Sequence, residues 1–160
     1  MSKTSFRSAT ENDVALILDF IKRLAEYEKM SNQVVATESL LREWIFEKQK
    51  AEVIFALEEG KEVGIALFFY NFSTFLGRAG IHLEDLFVLP EYRGRGHGKA
   101  LIKEVARIAV ECECGRLEWC CLDWNKPSID FYLSLNAKPL DEWTNYRLTG
   151  ESLIALAKED

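Results

Sequence analysis

Three glycines fall within five residues, Gly94, Gly96 and Gly98, interleaved with Arg93, Arg95, His97 and Lys99. Just before them the apolar run Leu86–Leu89 reads as a strand. Pro90 closes it, because proline has no N–H to give to a central ladder. Just after them Leu101, Ile102, Val105, Ile108 and Ala109 recur at spacings of three and four, one face of a helix. A strand, a glycine loop and a helix N-terminus together form a place for an anion. The first amides of the helix have no intrahelical acceptor, and the helix dipole adds partial positive charge. Glycine lets the backbone approach an anion without a Cβ in the way. Arg93, Arg95 and Lys99 add full charges, so the expected ligand is a phosphate or pyrophosphate. A solvated glycine-rich turn flanked by arginines is the plain alternative at this point.

Spacing removes the commoner phosphate motifs. A P-loop needs a glycine five residues before its Gly-Lys pair and a Ser or Thr after it; Arg93 and Ala100 stand in those places. A dinucleotide fingerprint counted from Gly94 needs a glycine where Lys99 stands. The pattern that remains is Arg-x-x-Gly-x-Gly, at Arg93, Gly96 and Gly98. His82-Leu-Glu84 matches the His-x-Glu of zinc deaminases, but no Pro-Cys-x-x-Cys accompanies it. Cys112, Cys114, Cys120 and Cys121 lack zinc-knuckle spacing, and adjacent strand residues point to opposite faces. No metal site is expected, and the cysteines are read as reduced and mainly packing.

The composition fits these elements into one soluble domain, residues 1–160. The chain is 48% hydrophobic and 29% charged, as in an ordinary globular protein, and long enough to bury a core. Its net charge of −6 argues against nucleic acid as the main partner. No apolar run approaches the roughly 18–20 residues that span a bilayer. The polar start, Met1 to Arg7, lacks a signal-peptide core, so a cytoplasmic location is expected.

Taken in order, a first short strand ends at Phe6–Ala9. Thr10 and Asp13 form a capping box for a helix carrying Val14, Ile17, Leu18, Ile21, Leu24 and Ala25, running to about Glu28. Thr37 caps a second helix. Val53–Leu57 and Val63–Tyr70 pair through a Glu59-Gly60 hairpin, and 71–80 is a looser connection. Ile81–Leu89 is the next strand, followed by the glycine loop and a helix to about Cys112. Leu117–Leu122 follows that crossover helix and should lie parallel to Ile81–Leu89. Asn125 caps a short helix with Pro127 in its first turn. Asn136 takes the left-handed position that ends it. Trp143–Leu148 reads as a last strand, before a terminal helical turn or two at Gly150–Lys158. The order is β-α-α-β-β-β-α-β-α-β, an α/β fold.

That order, with the segments Arg7–Thr10, Leu24–Glu28, Leu83–Val88, Tyr92–Gly98 and Asp123–Tyr132, resembles the Gcn5-related N-acetyltransferase (GNAT) superfamily. Within it, the chain looks nearest the diamine branch, which includes spermidine/spermine and thialysine N-acetyltransferases. The resemblance implies a single-domain GNAT fold: a mixed, mostly antiparallel, twisted sheet with a central parallel strand pair. It implies acetyl-CoA as co-substrate, with no metal, and acetyl transfer to a small primary amine by direct attack in a ternary complex. A homodimer is also implied, and the exposed aromatics Trp143 and Tyr146 would suit it.

The same resemblance distributes the roles. An alkyl ammonium has a pKa of about 10.4, so only about one in a thousand is neutral at pH 7 and something must take its proton. Glu84 matches the family's base-like glutamate; Asp85, expected on the opposite face, is a weaker candidate. Tyr132 matches the general acid that protonates the leaving thiolate, and Asn125 a residue near the cofactor. Backbone amides at Phe87 or Val88 would face the charge developing on the thioester oxygen, Leu86 would lie with them along the cofactor, and Arg93–Lys99 would hold the pyrophosphate. Tyr27 and Glu28 match a segment beside the acceptor. In polyamine enzymes an acidic residue and a tryptophan stand where Ser73 and Phe75 stand here, and a further acid near the last strand is matched by Thr144, followed by Tyr146. With two carboxylates missing, distant ammonium groups would lack partners. A lysine-like or small diamine acceptor is therefore preferred. Protein lysine or N-terminal acetylation on the same machinery is the alternative, and a non-catalytic acyl-CoA-binding module a third reading.

Overall fold

Strand pairing in the computed structural model, which describes residues 3–159, follows from where the turn residues fall. Met1, Ser2 and Asp160, parts of the N-terminal and domain readings above, lie outside the described residues. Glu59 (φ 49°) and Gly60 (φ 81°) both take left-handed backbone, the geometry of a two-residue hairpin turn. They join β2 (Glu52–Glu58) to β3 (Lys61–Ser73). A second tight turn, with Gly77 at φ 70°, joins β3 to β4 (Arg78–Val88). The looser connection expected over 71–80 is thus mostly ladder, because Asn71 pairs with Gly80 and Ser73 with Arg78. With β1 (Ser5–Ser8) and β5 (Leu117–Trp119), the sheet runs β1-β2-β3-β4-β5. All junctions are antiparallel except β4–β5, which is parallel, as its crossover connection requires.

One helix fixes the face on which the site is built. α1 (Val14–Tyr27) starts at the expected box, where the Thr10 amide donates to Asp13 Oδ2 at 2.7 Å. Arg7 on β1 grips the same carboxylate and Glu62, at 2.9 and 2.8 Å, which ties β1 to both the helix start and β3. The apolar stripe of α1 buries Ile17 and Phe20 against Phe55, Ile65 and Phe87, with the Phe20 and Phe55 rings 6.0 Å apart. Its last turn therefore lies over the end of β4. α2 (Glu38–Leu41) is capped by Thr37 Oγ1, which accepts from the Leu40 amide, and widens into π-helical turns over Arg42–Glu47. α3 (His97–Glu111) buries Leu101, Ile102 and Val105.

The chain forms two compact units that divide after Cys120. The second contains α4 (Lys126–Ser134), which the Asn125 side chain caps by accepting from the Ser128 amide, and α5 (Gly150–Lys158). Asn136 takes its left-handed conformation at φ 66°. Two strand expectations need correction. β5 stops at Trp119 rather than Leu122, because the bulge in β4 described below ends the parallel ladder at Leu83–Trp119. Trp143–Leu148 forms no strand: Trp143 and Tyr146 stay 79% and 90% exposed, and strand-favouring side chains make no strand without a ladder partner. Cys112 and Cys120 are exposed rather than packing, and Cys114 and Cys121 are half-buried. No described helix is long and apolar enough to cross a membrane.

Candidate active site

β4 carries the site because its regular pairing breaks once. Leu67 of β3 faces Asp85, yet its neighbour Phe68 faces Leu83, so Glu84 is an extra residue, a β-bulge. Such a bulge re-aims side chains and ends local pairing. Beyond Leu83 the other edge of β4 has no strand partner among the described residues, so Leu86, Phe87 and Val88 pair on the β3 side alone. That leaves the edge on which backbone donors were expected.

The bulge also gathers acid. The Glu84 side chain is 56% exposed, with one oxygen 3.7 Å from His82 Nε2. Asp85 is held in partial burial, which chiefly raises its pKa, and the charges of Glu84 and Glu28 add to this, bringing it to about 7. Glu28, the residue that ends α1, is raised as well, by burial first and by Glu84 second. An ordinary aspartate would be ionised at that pH; this one is poised between its two forms. Sequence reasoning placed Asp85 on the face away from Glu84 and ranked it low. The bulge lets the two carboxylates influence each other, and only the register of β3 on β4 reveals it.

The glycine loop stands at the other end of this segment. Pro90–Tyr92 form a single 3-10 turn, Gly94 and Gly96 take φ 77° and 88°, and α3 begins at His97. None of the amides of residues 94–99 finds a hydrogen-bond acceptor among the described residues. That run of unspent donors, with exposed Lys99 beside it, fits a pyrophosphate. The loop's other side chains serve different ends. His97 is 1% exposed; its Nε2 lies 3.0 Å from Glu58 Oε1 and its Nδ1 2.8 Å from Thr4 Oγ1. Arg95 Nη1 donates to the second oxygen of Glu58 at 2.7 Å, and its guanidinium lies over the Tyr92 ring. Only the backbone of His97 is therefore available to a ligand. Glu58 went unnoticed in the sequence, since a glutamate before a Glu-Gly turn reads as solvated surface. Arg93 gives its Nε to the Val88 carbonyl and spreads over the Tyr27 and Phe87 rings, 5.0 and 5.2 Å from their centroids.

The remaining candidates have their own local surroundings. Tyr27 is brought to Phe87, with ring centroids 6.4 Å apart. Phe75 is fully exposed at the tip of the β3–β4 turn. That tip is about 20 Å along the strand from Glu84 at the usual rise per residue, so the chain does not bring the two together. Ser73 spends its hydroxyl on the Leu76 amide. In the second unit, Tyr132 packs on Phe131 within the helix that Asn125 caps, and Tyr146 lies in an irregular stretch. Among the described residues no cluster of His, Cys, Asp or Glu could hold a metal.

Residues 19–136 match the model of the acetyltransferase (GNAT) family. The chain belongs to the GNAT family. Its fold and its sequence agree on this. It is 40% identical to the thialysine N-epsilon-acetyltransferase of Sus scrofa, over 98% of this chain and 99% of that one. It is 32% identical to the L-ornithine N5-acetyltransferase of Arabidopsis thaliana, over 95% and 87%. An integron cassette protein from the mobile metagenome of V. cholerae superposes with a TM-score of 0.81 at 30% identity, covering 99% of both chains. This GNAT protein is accordingly an acetyltransferase, and its relatives support an amine as the group acetylated. GNAT acetyltransferases use acetyl-CoA as co-substrate.

Proposed function

We propose that residues 1–160 act as one catalytic domain that moves an acetyl group from acetyl-CoA to the primary amine of a small, lysine-like or diamine acceptor. The reading is carried by the carboxylates at the β4 bulge, where a group poised near neutrality, Asp85, neighbours the exposed Glu84. Two of the relatives are named for thialysine and L-ornithine, both basic amino acids. Acetyl-CoA supplies the activated acetyl group as a thioester. The amides of residues 94–99, with Lys99, hold its pyrophosphate, and the free edge of β4 at Leu86–Val88 presents backbone donors toward the acetyl group. Glu84 takes the proton of the attacking ammonium, directly or through water, with Asp85 setting the local charge. The Tyr132 hydroxyl returns a proton to the leaving thiolate. Glu28 and Tyr27 border the acceptor. A cytoplasmic homodimer is the proposed form, for which the exposed Trp143 and Tyr146 offer contact surface.

The test is CoA-thiol release from acetyl-CoA with thialysine, lysine, ornithine, putrescine, spermidine, spermine and a lysine peptide, run on the parent, Glu84→Gln and Tyr132→Phe. Turnover of a small amine, cut at least tenfold in both variants, is the expected result. Turnover of the peptide alone moves the function to protein acetylation. Tight acetyl-CoA binding without turnover of any amine leaves acyl-CoA binding as the activity.

A further inference from the structure

The last turns of α1 and the entry to the glycine loop enclose an open cleft of ≈ 260 Å³, lined by Arg23, Glu26, Tyr27, Phe87, Pro90 and Arg93. Arg23, Glu26 and Tyr27 are three and four residues apart and so share one helix face. The floor is aromatic and the rim carries both signs of charge. The Arg93 guanidinium is fixed by its two aromatic neighbours and by the Nε–H it donates to the Val88 carbonyl, and its Nη groups donate no hydrogen bond among the described residues. Among the described residues Arg23 makes only an exposed pair to Asp19, one turn earlier, at 3.0 Å. Exposed pairs of that kind contribute little and exchange readily.

We infer that this cleft binds the α-carboxylate and α-ammonium of an amino-acid acceptor, Arg23 and Arg93 taking the carboxylate and Glu26 the ammonium. The proposal rests on the amine-acetylation reading above and names its substrate class: a basic α-amino acid rather than a simple diamine. Guanidinium groups suit a carboxylate because their paired N–H donors match its two oxygens. The register supplies the reach. Phe87, which floors the cleft, and Asp85, beside the carboxylates of the bulge, are two residues apart on one strand and so face the same side, about 7 Å apart. An extended ornithine- or lysine-length side chain spans that interval, with its head in the cleft and its terminal amine at Asp85 and Glu84. A diamine leaves both arginines without an anion.

The test compares thialysine with the diamine that lacks only its carboxylate, bis(2-aminoethyl) sulfide, on the parent, Arg23→Gln and Glu26→Gln. Kd is measured by calorimetry with CoA present, and kcat/KM with acetyl-CoA. The parent should bind the amino acid about tenfold to a hundredfold more tightly, the range for hydrogen bonds between charged groups. Arg23→Gln should abolish most of that preference by weakening thialysine alone, and Glu26→Gln should weaken both ligands. Equal or tighter binding of the diamine by the parent overturns the inference, as does failure of thialysine to bind. A loss of acetyl-CoA affinity in Arg23→Gln without change in amine preference assigns the cleft to a cofactor phosphate and also overturns it. The two readings fail separately. Turnover without carboxylate preference sinks only this inference, and carboxylate-dependent binding without turnover sinks only the proposed reaction.

Discussion

The two ends of the short segment from Glu84 to His97 treat charge in opposite ways. At the glycine loop, the carboxylate of Glu58 is drawn under the backbone and met on both oxygens, by Arg95 and by His97. At the bulge, burial and then the charge of Glu84 raise the affinity of Glu28 and Asp85 for protons, and Glu28 adds to the effect on Asp85. The first arrangement satisfies the charges of Glu58, Arg95 and His97 among themselves and leaves the backbone N–H groups and Lys99 for a ligand. The second is left short of positive charge, which an acceptor ammonium brings with it. A loop that must hold one invariant shape is internally neutralised, whereas a site that must bind a cation and take its proton is kept electrostatically strained.

This contrast can be broken at the loop first. Glu58→Ala strands buried His97 and the Arg95 charge, so it should cost about 2–4 kcal/mol in urea unfolding, the largest stability effect at either end. Gly96→Val asks a β-branched residue to adopt φ 88°, and should weaken acetyl-CoA binding at least tenfold in equilibrium titration, with about 1–2 kcal/mol lost in stability.

The bulge should respond to pH instead. Asp85 has a folded pKa of about 7 against an ordinary value of 3.8. The folded state therefore holds this proton more tightly, and the stability it contributes is complete below about pH 4 and lost as pH rises through 7. Asp85→Asn should stabilise the protein by roughly 1–3 kcal/mol at pH 8 and change it little at pH 4, read by thermal unfolding across that range. The same variant should flatten any rise of kcat/KM centred near pH 7. The smallest effect belongs to Lys99, whose charge lies outside the loop's internal pairing. Lys99→Ala should weaken acetyl-CoA binding by only a few-fold, and the difference should shrink with added salt.

Much of the site was legible because local rules govern it. The glycine spacing, the Pro90 stop and the 3.6-residue periodicity after Gly98 all depend on backbone sterics and on neighbours within a turn. Asp85 and Glu58 were not legible in that way. Their significance depends on pairing register and on burial, neither of which residue type records. Trp143–Leu148 shows the converse: side chains that favour strands lay in sequence, but no ladder received them.

By itself, the sequence determined the loop that can cradle a pyrophosphate, the caps of the helices, the hairpin at Glu59-Gly60 and the parallel crossover from β4 to β5. Each follows from the allowed dihedrals and hydrogen bonds of a few adjacent residues. The tertiary structure alone decided that Glu84 is an extra residue in the ladder, that Asp85 is poised near neutrality, and that His97 turns inward to Glu58. It also set Arg23 and Arg93 around one cleft. These outcomes need the packing of α1 on the sheet and the register between β3 and β4, and desolvation and charge coupling arise only when distant segments meet.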